Sequence, residues 1–578
     1  MKYSELVNFF EIIEATPSRL LMTSHLVNLF KNTPEDVIDK VVYLTEGKLY
    51  PSFVGIELGM AEKSALKALS MSTGISQDRV ENEYKKRGDI GILAENLLKK
   101  KVQSTLFSRD LEVKDVYDEL DKIAKTSGSG SNDAKLRILS GLLSDASPKE
   151  AKYIMRIVTG KMRLGVANNT IVVALSQAFA HGKKDDIETM YNVTSDLGEV
   201  ARELKKNGVI GIKTCANVNR PIRMMLAQRM SSAGEIVAQM GRVACEFKYD
   251  GMRLQIHKSG NNISLFTRNL ERITDQYPDV VKYARENIKA HDAIVEGECV
   301  GVDPAGYMLP FQELMHRRRK YEIDDKAKEF PVHMYLFDAL LIDGKDIMSR
   351  GLAERRAILK NSIVETDNFR LSHALVSGDV LEIEKFFESS IESGCEGLMC
   401  KDLGSTYQAG SRGMSWVKLK RSYQSKMVEP IDVVIVGAFF GKGRRSGRYG
   451  ALLVAVYDSE KDVFSTICKV GSGFTDEELD NLLGALSDYR LKNKSVRVES
   501  IMNAEEWFEP KLVMEIIGDE LTLSPTHPCA MGSIRENAGI AMRFPRFLHK
   551  WRFDKGPEDA TTVSEIIDTY RSQLKKLE

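Results

Sequence analysis

The chain has 578 residues, and at about 150 residues per domain this length predicts three or four domains. Hydrophobic residues make up 43% and charged residues 28%, as in ordinary globular proteins, and no apolar run approaches the ~18 residues of a membrane helix. Lys+Arg and Asp+Glu both number 82, so the zero net charge excludes a uniformly basic protein and leaves only local basic surfaces for nucleic acid.

Apolar periodicity predicts that residues 1–215 are helical. Leu6, Phe9, Phe10 and Ile13 recur at the spacing of one helix face. The segment Ser147–Glu150 (S-P-K-E) predicts a helix start, because its serine can cap the helix, its proline suits the first turn and its glutamate completes a capping box.

The pattern then changes twice along the chain. Residues 216–425 alternate with a period of two between turn signals, which predicts a mixed α+β region. Residues 426–578 contain strand-like runs at Ile431–Phe440 and Leu452–Tyr457, joined by a basic, glycine-rich turn, which together predict a small β-barrel. The residues from Thr561 onward predict a C-terminal helix.

The cysteines and the N-terminus indicate the compartment. The seven cysteines are an odd number without a C-x-x-C pair, which argues against a disulfide framework and a structural zinc site. The N-terminus lacks the apolar core of a signal peptide. We therefore expect a cytoplasmic protein in a reducing environment, without a membrane anchor.

One predicted strand carries an unusual group of charges. If residues 243–250 form a strand, Glu246, Lys248 and Asp250 point to the same side. A lysine between two acids is most often a solvated surface, so this pattern alone predicts little. Charged residues at alternate positions recur downstream, at Glu296 with Glu298 and in Trp416–Lys420. Solvent exposure alone does not explain why all of these patterns occur in one chain in this order.

The segment Lys248–Arg253 (K-Y-D-G-M-R) resembles the K-x-D-G-x-R signature of covalent nucleotidyltransferases, which include DNA ligases, RNA ligases and capping enzymes. Segments similar to the further motifs of that superfamily follow in order: F-T-R-N at 266–269, E-G-E at 296–298, Y-L-F-D at 335–338, E-G at 396–397 and K-L-K at 418–420. Over essentially the whole chain, including S-P-T-H-P at 524–528 and R-F-P-R-F at 543–547, the sequence is similar to archaeal and eukaryotic-type ATP-dependent DNA ligases.

The resemblance implies a fold and an activity. It implies an all-α DNA-binding domain (1–215), an α+β nucleotidyltransferase domain with an ATP-grasp-like fold (216–425), and an OB-fold β-barrel with a C-terminal helix (426–578). The expected activity is the sealing of nicks in double-stranded DNA during replication, repair and recombination. It proceeds through an enzyme–AMP and a DNA–adenylate intermediate, with ATP and Mg²⁺ or Mn²⁺ as cofactors.

The resemblance also implies roles for single residues. Lys248 would be the nucleophile, and because only about one model lysine in a thousand is neutral near pH 7, neighbouring cations would have to lower its pKa. The expected nucleotide ligands are Glu246 for the adenine amino group, Phe337 for stacking on adenine, Arg253, Arg268 and Arg412 for ribose and phosphates, Glu298 for ribose or a metal-bound water, and Lys418 and Lys420 for the α-phosphate. Glu396 is the expected magnesium ligand, since hard Mg²⁺ prefers carboxylate oxygens.

Plainer interpretations stand beside these roles. Phe337 fits a core position in an apolar run, Arg412 fits a surface loop, and Glu296 fits a partner that only positions a ligand-binding residue.

Three basic segments are candidates for contacts to DNA phosphates, and a fourth segment for a protein partner. The DNA candidates are Gly160–Gly165, Arg317–Lys320 and Lys442–Arg448. The resemblance assigns Arg543 and Arg546 to orienting pyrophosphate. Gln103–Phe107 (Q-S-T-L-F) resembles a short sliding-clamp-binding motif, and we otherwise expect a monomer.

Two alternatives remain open on the sequence. An RNA ligase or capping enzyme would share the pocket but not the long helical first region. A non-enzymatic scaffold that binds nicks would have lost pocket residues, whereas all the expected ones are present. The sequence does not separate ATP from ADP as nucleotide donor.

Overall fold

A computed structural model describes the chain except for residues 59, 100–109, 129, 210–214, 304–305, 310, 315–316, 318–322, 421–429, 442–446 and 576–578, and except for the side chains of 312–313, 324 and 572–575. The chain divides into two compact units, Met1–Leu419 and Lys420–Glu578. No helix among the described residues has both the length and the apolar character needed to cross a membrane. All seven cysteines are free thiols.

The first region of unit one is helical, as predicted. Its helices α1–α12 are Tyr3–Glu14, Arg19–Asn32, Ile38–Glu46, Glu62–Thr73, Gln77–Arg87, Ile90–Lys99, Val113–Lys125, Ser131–Asp145, Pro148–Val158, Asn168–Phe179, Lys184–Thr194 and Leu197–Asn207. Leu6, Phe10 and Ile13 of α1 are buried in one core. The predicted capping box is confirmed at α9, where the Ser147 side chain accepts from the N–H of Glu150.

The second region of unit one is built around two sheets. Its elements are β1 Leu226–Arg229, α13 Ala233–Met240, β2 Val243–Phe247, β3 Met252–Ser259, β4 Asn262–Thr267, α14 Pro278–Asn287, β5 Asp292–Gly301, α15 Phe311–Leu314, α16 Ile323–Glu329, β6 Val332–Ile342, β7 Lys345–Asp346, α17 Leu352–Ser362, β8 Phe369–Leu371, β9 Ala374–Ser377, α18 Val380–Glu392, β10 Gly397–Asp402 and β11 Arg412–Lys420.

One sheet has the order β1-β11-β10-β2-β9 and the other β4-β3-β5-β6-β7, with β8 beside β6. The predicted alternation of β2 is confirmed, because Val243, Cys245 and Phe247 pack together in a core with Tyr249.

Unit two is β-rich. Its elements are β12 Ile431–Phe440, β13 Tyr449–Asp458, β14 Val463–Val470, α19 Asp476–Ala485, β15 Arg490–Leu491, β16 Val498–Glu499, β17 Glu506–Phe508, β18 Val513–Ile517, β19 Glu520–Ser524, β20 Gly539–Arg543, β21 Arg546–Trp551 and α20 Val563–Lys575. Strands β12 to β18 and β21 form one sheet, and β19 pairs with β20. The predicted strands and the C-terminal helix are confirmed. The fold-class prediction is therefore confirmed, while the boundaries after residues 215 and 425 stay predictions.

Candidate active site

Lys248 lies directly after β2, where β2 meets the start of β10. Its backbone N–H donates to the carbonyl of Gly397 (2.8 Å), and its carbonyl accepts from the N–H of Glu396 (2.8 Å). The Nζ of Lys248 also donates to Oε2 of Glu396, in an ion pair whose side chains are 22% and 26% exposed. The pairing of the two strands thus places the expected nucleophile beside the expected metal ligand.

The carboxylates around Lys248 raise the pKa of its amine. Burial lowers the pKa of Lys248, but the carboxylates of Glu396 and Glu298 outweigh burial, and the pKa is raised above its usual value. This arrangement holds the amine as an ammonium, which is not a nucleophile. The predicted lowering of this pKa by a metal and by Lys418 and Lys420 stays a prediction, because Nζ of Lys248 is paired here with a carboxylate.

Glu246 is 2% exposed, and each of its carboxylate oxygens accepts from a cation. Arg356 of α17 donates from Nη1 to Oε1 (2.5 Å), and Lys401 of β10 donates from Nζ to Oε2 (2.9 Å). Neither cation was predicted from the sequence. Lys401 lies within the E-G-L-M-C-K segment and alternation along that strand offered a signal, whereas nothing in the sequence around Arg356 links α17 to β2.

Arg253 and Glu296 form a buried ion pair between β3 and β5. Arg253 donates from Nη2 to Oε2 of Glu296 (2.7 Å) and from Nη1 to the carbonyl of Met225 (2.7 Å). Glu296 also accepts from Nε2 of Gln255 (3.0 Å) and from the hydroxyl of Tyr407 (3.0 Å). This geometry favours the interpretation of Glu296 as a partner that positions Arg253. The Nε of Arg253 is buried and has no hydrogen-bond partner among the described residues.

Glu298 lies on β5 beside the turn that follows Lys248. Burial raises the pKa of Glu298 to about 7, with Lys248 opposing the shift and Glu396 adding to it. The turn can approach β5 only because residue 251 is glycine: a Cβ on Gly251 would lie 2.9 Å from Cγ of Glu298 and 2.4 Å from the carbonyl oxygen of Cys299. The two expected acidic ligands therefore lie close enough to Lys248 to shift its pKa.

Phe337 is a bulge residue of β6, because the register with β5 skips it. Such bulges redirect a side chain and are common beside active sites. Its ring is 8% exposed, with Nζ of Lys401 4.4 Å and Cζ of Arg253 5.2 Å from the ring centroid. The ring also packs edge-on against Trp416, so stacking on adenine and a core role both stay predictions.

The remaining expected phosphate ligands on β11 differ in exposure. Lys418 and Lys420 are half-buried and lie on the same face as the buried Trp416, as predicted from the alternation. Arg412 is exposed at the first position of the strand.

Arg268 is not part of this cluster. It lies exposed directly after β4 and lines a cavity of about 340 Å³ together with Tyr43 and Asn168 of the helical region. Lys248 does not line that cavity. A role of Arg268 at the nucleotide therefore depends on the resemblance alone.

Glu396, the expected metal ligand, lies near the carboxylate of Glu298. Within the described residues, no group of three or more His, Cys, Asp or Glu side chains is arranged to hold a metal ion. The carboxylates of Glu396 and Glu298 nevertheless lie close enough to raise the pKa of Glu298, which is the crowding of negative charge that a hard cation relieves.

The basic loop 160–165 of the helical region is held by acidic residues. Lys161 forms an ion pair with Glu62, and Arg163 donates to Oδ2 of Asp89 (2.8 Å) and to the carbonyl of Gly88 (2.9 Å). Arg163 has a φ of 59°, a left-handed conformation that few non-glycine residues adopt. The two cations are 42% and 31% exposed, so water and polyanions can reach them.

Arg317, the first residue of the second candidate DNA contact, was wrongly predicted to contact DNA. Arg317 is 2% exposed and forms a two-point ion pair with Asp279 (2.8 and 2.9 Å), so its guanidinium is part of the fold. Residues 318–320, residues 442–446 of the basic turn and the segment Gln103–Phe107 lie outside the described residues. Arg448, at the end of that turn, pairs with Asp480 (2.5 Å).

Arg543 and Arg546 are both exposed, at the end of β20 and the start of β21. Their expected role with pyrophosphate stays a prediction.

Comparison with known proteins agrees with this geometry. Family profiles described as "DNA ligase N terminus", "ATP dependent DNA ligase domain" and "ATP dependent DNA ligase C terminal region" match residues 2–176, 224–420 and 445–555. A DNA ligase 2 from Korarchaeum cryptofilum is 49% identical and covers 100% of this chain and 98% of its own. A DNA ligase from Staphylothermus marinus is 49% identical and covers 100% of both.

A solved structure named Pmar-Lig_Pre is 17% identical, has a TM-score of 0.55 and covers 95% of this chain and 99% of its own, which supports the fold alone. The chain therefore belongs to the ATP-dependent DNA ligase family. Membership makes the protein an ATP-dependent ligase that acts on DNA. It also answers the alternative of an RNA ligase or capping enzyme, because the match includes the helical first region.

Proposed function

We propose that this ligase seals nicks in double-stranded DNA through a covalent AMP adduct on Nζ of Lys248. The observation that supports the proposal most is the juxtaposition of Lys248 with Glu396, Glu298 and the held carboxylate of Glu246. A nucleophile, two acids suited to a metal and a hydrogen-bond acceptor for a base thus come from neighbouring elements of the same domain.

In the first step the neutral Nζ of Lys248 attacks the α-phosphorus of ATP. A P–N bond forms, the bond from that phosphorus to the bridging oxygen breaks, pyrophosphate leaves, and Nζ loses a proton. AMP then passes to the 5′-phosphate of the nick, and the 3′-hydroxyl displaces it. Each step exchanges one bond at phosphorus, so covalent catalysis divides one difficult reaction into easier ones.

Two residues on β11 would neutralise charge at the reacting phosphate. Lys418 and Lys420 extend from β11, which lies beside β10. Donors that are held in position before the reaction stabilise the charge that develops in the transition state. Phe337 would stack on adenine, and the buried Nε of Arg253 offers an unused donor for the ribose or a phosphate. Arg412 and Arg268 would complete the phosphate contacts from outside the buried cluster.

Mg²⁺ is the proposed metal, with Mn²⁺ as a substitute, and Glu396 and Glu298 would hold it. The bound cation would supply positive charge that offsets the charge of the leaving pyrophosphate, and Glu396 would then serve as its ligand rather than as the partner of Lys248. The ion pair between Lys248 and Glu396 would keep the amine protonated until then.

The proposal extends to the partners of the enzyme. Lys161 and Arg163 would exchange Glu62 and Asp89 for DNA phosphates, Gln103–Phe107 would bind a sliding clamp, and the enzyme would act as a cytoplasmic monomer. Clamp binding has a direct test: Gln103→Ala with Phe107→Ala should abolish clamp stimulation of ligation, and unchanged stimulation would contradict it.

The test of the main proposal is incubation with α-labelled ATP and Mg²⁺, followed by acid quench and a nick-sealing assay. Wild type and the exposed-lysine control Lys282→Ala should become labelled and seal nicked DNA, whereas Lys248→Ala should do neither. Equal labelling of Lys248→Ala, or an unlabelled wild type, would overturn the proposal.

A further inference from the structure

The acid expected to read the base is held by two cations, which we call the Glu246 clamp: Arg356 on Oε1 and Lys401 on Oε2. Arg356 is itself fixed, because Nη1 also donates to the hydroxyl of Ser372 (3.0 Å) and Nη2 to its carbonyl (2.6 Å). The N–H of Ser372 in turn donates to the carbonyl of Leu336 (2.7 Å), in the strand that carries Phe337. The clamp therefore joins α17 to β2 and β10, and Ser372 links it to β6.

The clamp leaves the carboxylate of Glu246 able to accept further hydrogen bonds. Each carboxylate oxygen can accept two hydrogen bonds, and each oxygen of Glu246 uses one on its cation. One lone pair on each oxygen remains, and a carboxylate has no proton to donate. Glu246 can then accept from the 6-amino group of adenine, but it repels the 6-oxo group of hypoxanthine or guanine.

The two cations are not equivalent. Lys401 is 1% exposed, and burial lowers its pKa, so its charge depends on its surroundings. The planar guanidinium fork of Arg356 engages Glu246 and Ser372 at once. The side chain of Arg356 is 19% exposed, so it is less desolvated than that of Lys401.

We infer that Arg356 is a positioning residue that sets nucleotide specificity, by holding Glu246 as an acceptor that admits 6-aminopurines and excludes 6-oxopurines. This inference rests on the proposed function, since it requires a nucleotide in the Lys248 pocket. A site whose buried acceptor is left unpaired by the wrong base discriminates strongly, so removal of the clamp should weaken that discrimination.

The experiment compares the rate of Lys248 labelling by ATP with that by inosine triphosphate, which differs from ATP in the 6-oxo group. The full-length wild type should strongly prefer ATP. Arg356→Gln should reduce the ATP-to-ITP preference by about tenfold or more, mainly through a higher KM for ATP. Arg356→Lys should retain part of the preference, because an ammonium keeps the charge but not the fork. Arg350→Gln, which breaks an exposed ion pair with Glu354 just before α17, is the control and should match wild type.

A merely structural role predicts a different result. If Arg356→Gln lowers labelling by both nucleotides by the same factor, so that the preference is unchanged, the inference is wrong. Should that variant not fold, Arg356→Lys and the milder Ser372→Ala decide by the same ratio. An unlabelled wild type would instead refute the proposed function, so the two failures are distinguishable.

Discussion

The nucleotide pocket and the basic loop 160–165 use the same residue types under opposite physical conditions. In the pocket, Glu296 is fully buried and accepts from three side chains, one of them Arg253. In the loop, Lys161 and its partner Glu62 are 42% and 38% exposed. A buried charge needs fixed partners, whereas an exposed pair contributes about 0–1 kcal/mol and is readily exchanged. The pocket is thus held in one geometry, whereas the ion pair of Lys161 with Glu62 can be exchanged.

The largest expected effect tests the fixed side of this comparison. Glu296→Ala removes the acid from a buried network and leaves the guanidinium of Arg253 unpaired, which should reduce the free energy of unfolding by about 3–5 kcal/mol. Denaturant unfolding measures this effect. Glu286→Ala, an exposed acid of α14, is the control and should stay within about 0.5 kcal/mol of wild type. A reduction below about 1 kcal/mol for Glu296→Ala would contradict the account of a fixed network.

A smaller effect separates the two interpretations of Phe337. If the ring stacks on adenine, Phe337→Leu should weaken ATP binding by roughly 5–150-fold, since stacking on a base is worth about 1–3 kcal/mol. Calorimetric titration with ATP measures the affinity. Phe266→Leu, a buried phenylalanine that packs on His257, is the matched control for weakened core packing. Equal ATP affinity of the two variants would show that Phe337 does not stack on adenine and serves only in the core.

The smallest effect on stability tests the exchangeable side. Lys161→Ala alone should change the free energy of unfolding by about 1 kcal/mol or less, because its ion pair with Glu62 is exposed. The double variant Lys161→Ala with Arg163→Ala should reduce the salt slope of DNA binding by about 1.8, which is about 0.9 for each of two phosphates that it no longer neutralises. Lys184→Ala, which removes a similarly exposed ion pair with Glu188, should leave the slope unchanged. An unchanged slope in the double variant would show that this loop does not contact DNA phosphates.

The sequence predicted most elements but not the partners of the charges. Periodicity and capping chemistry are local, which is why α9, β2 and the strands of unit two are confirmed. Arg356 was missed because its pairing with Glu246 joins a helix and a strand 110 positions apart. Arg317 was misread because a run of cations does not reveal that one of them is buried against Asp279. The raised pKa of Lys248 likewise depends on the placement of Glu396 across the sheet.

The most direct test of the central claim is peptide mapping by mass spectrometry after incubation of the full chain with ATP and Mg²⁺. We predict one AMP adduct, on the peptide that contains Lys248, which disappears when nicked DNA is added and sealed. An adduct on another residue, such as Lys418 or Lys401, or no adduct in a preparation that seals nicks, would contradict the account.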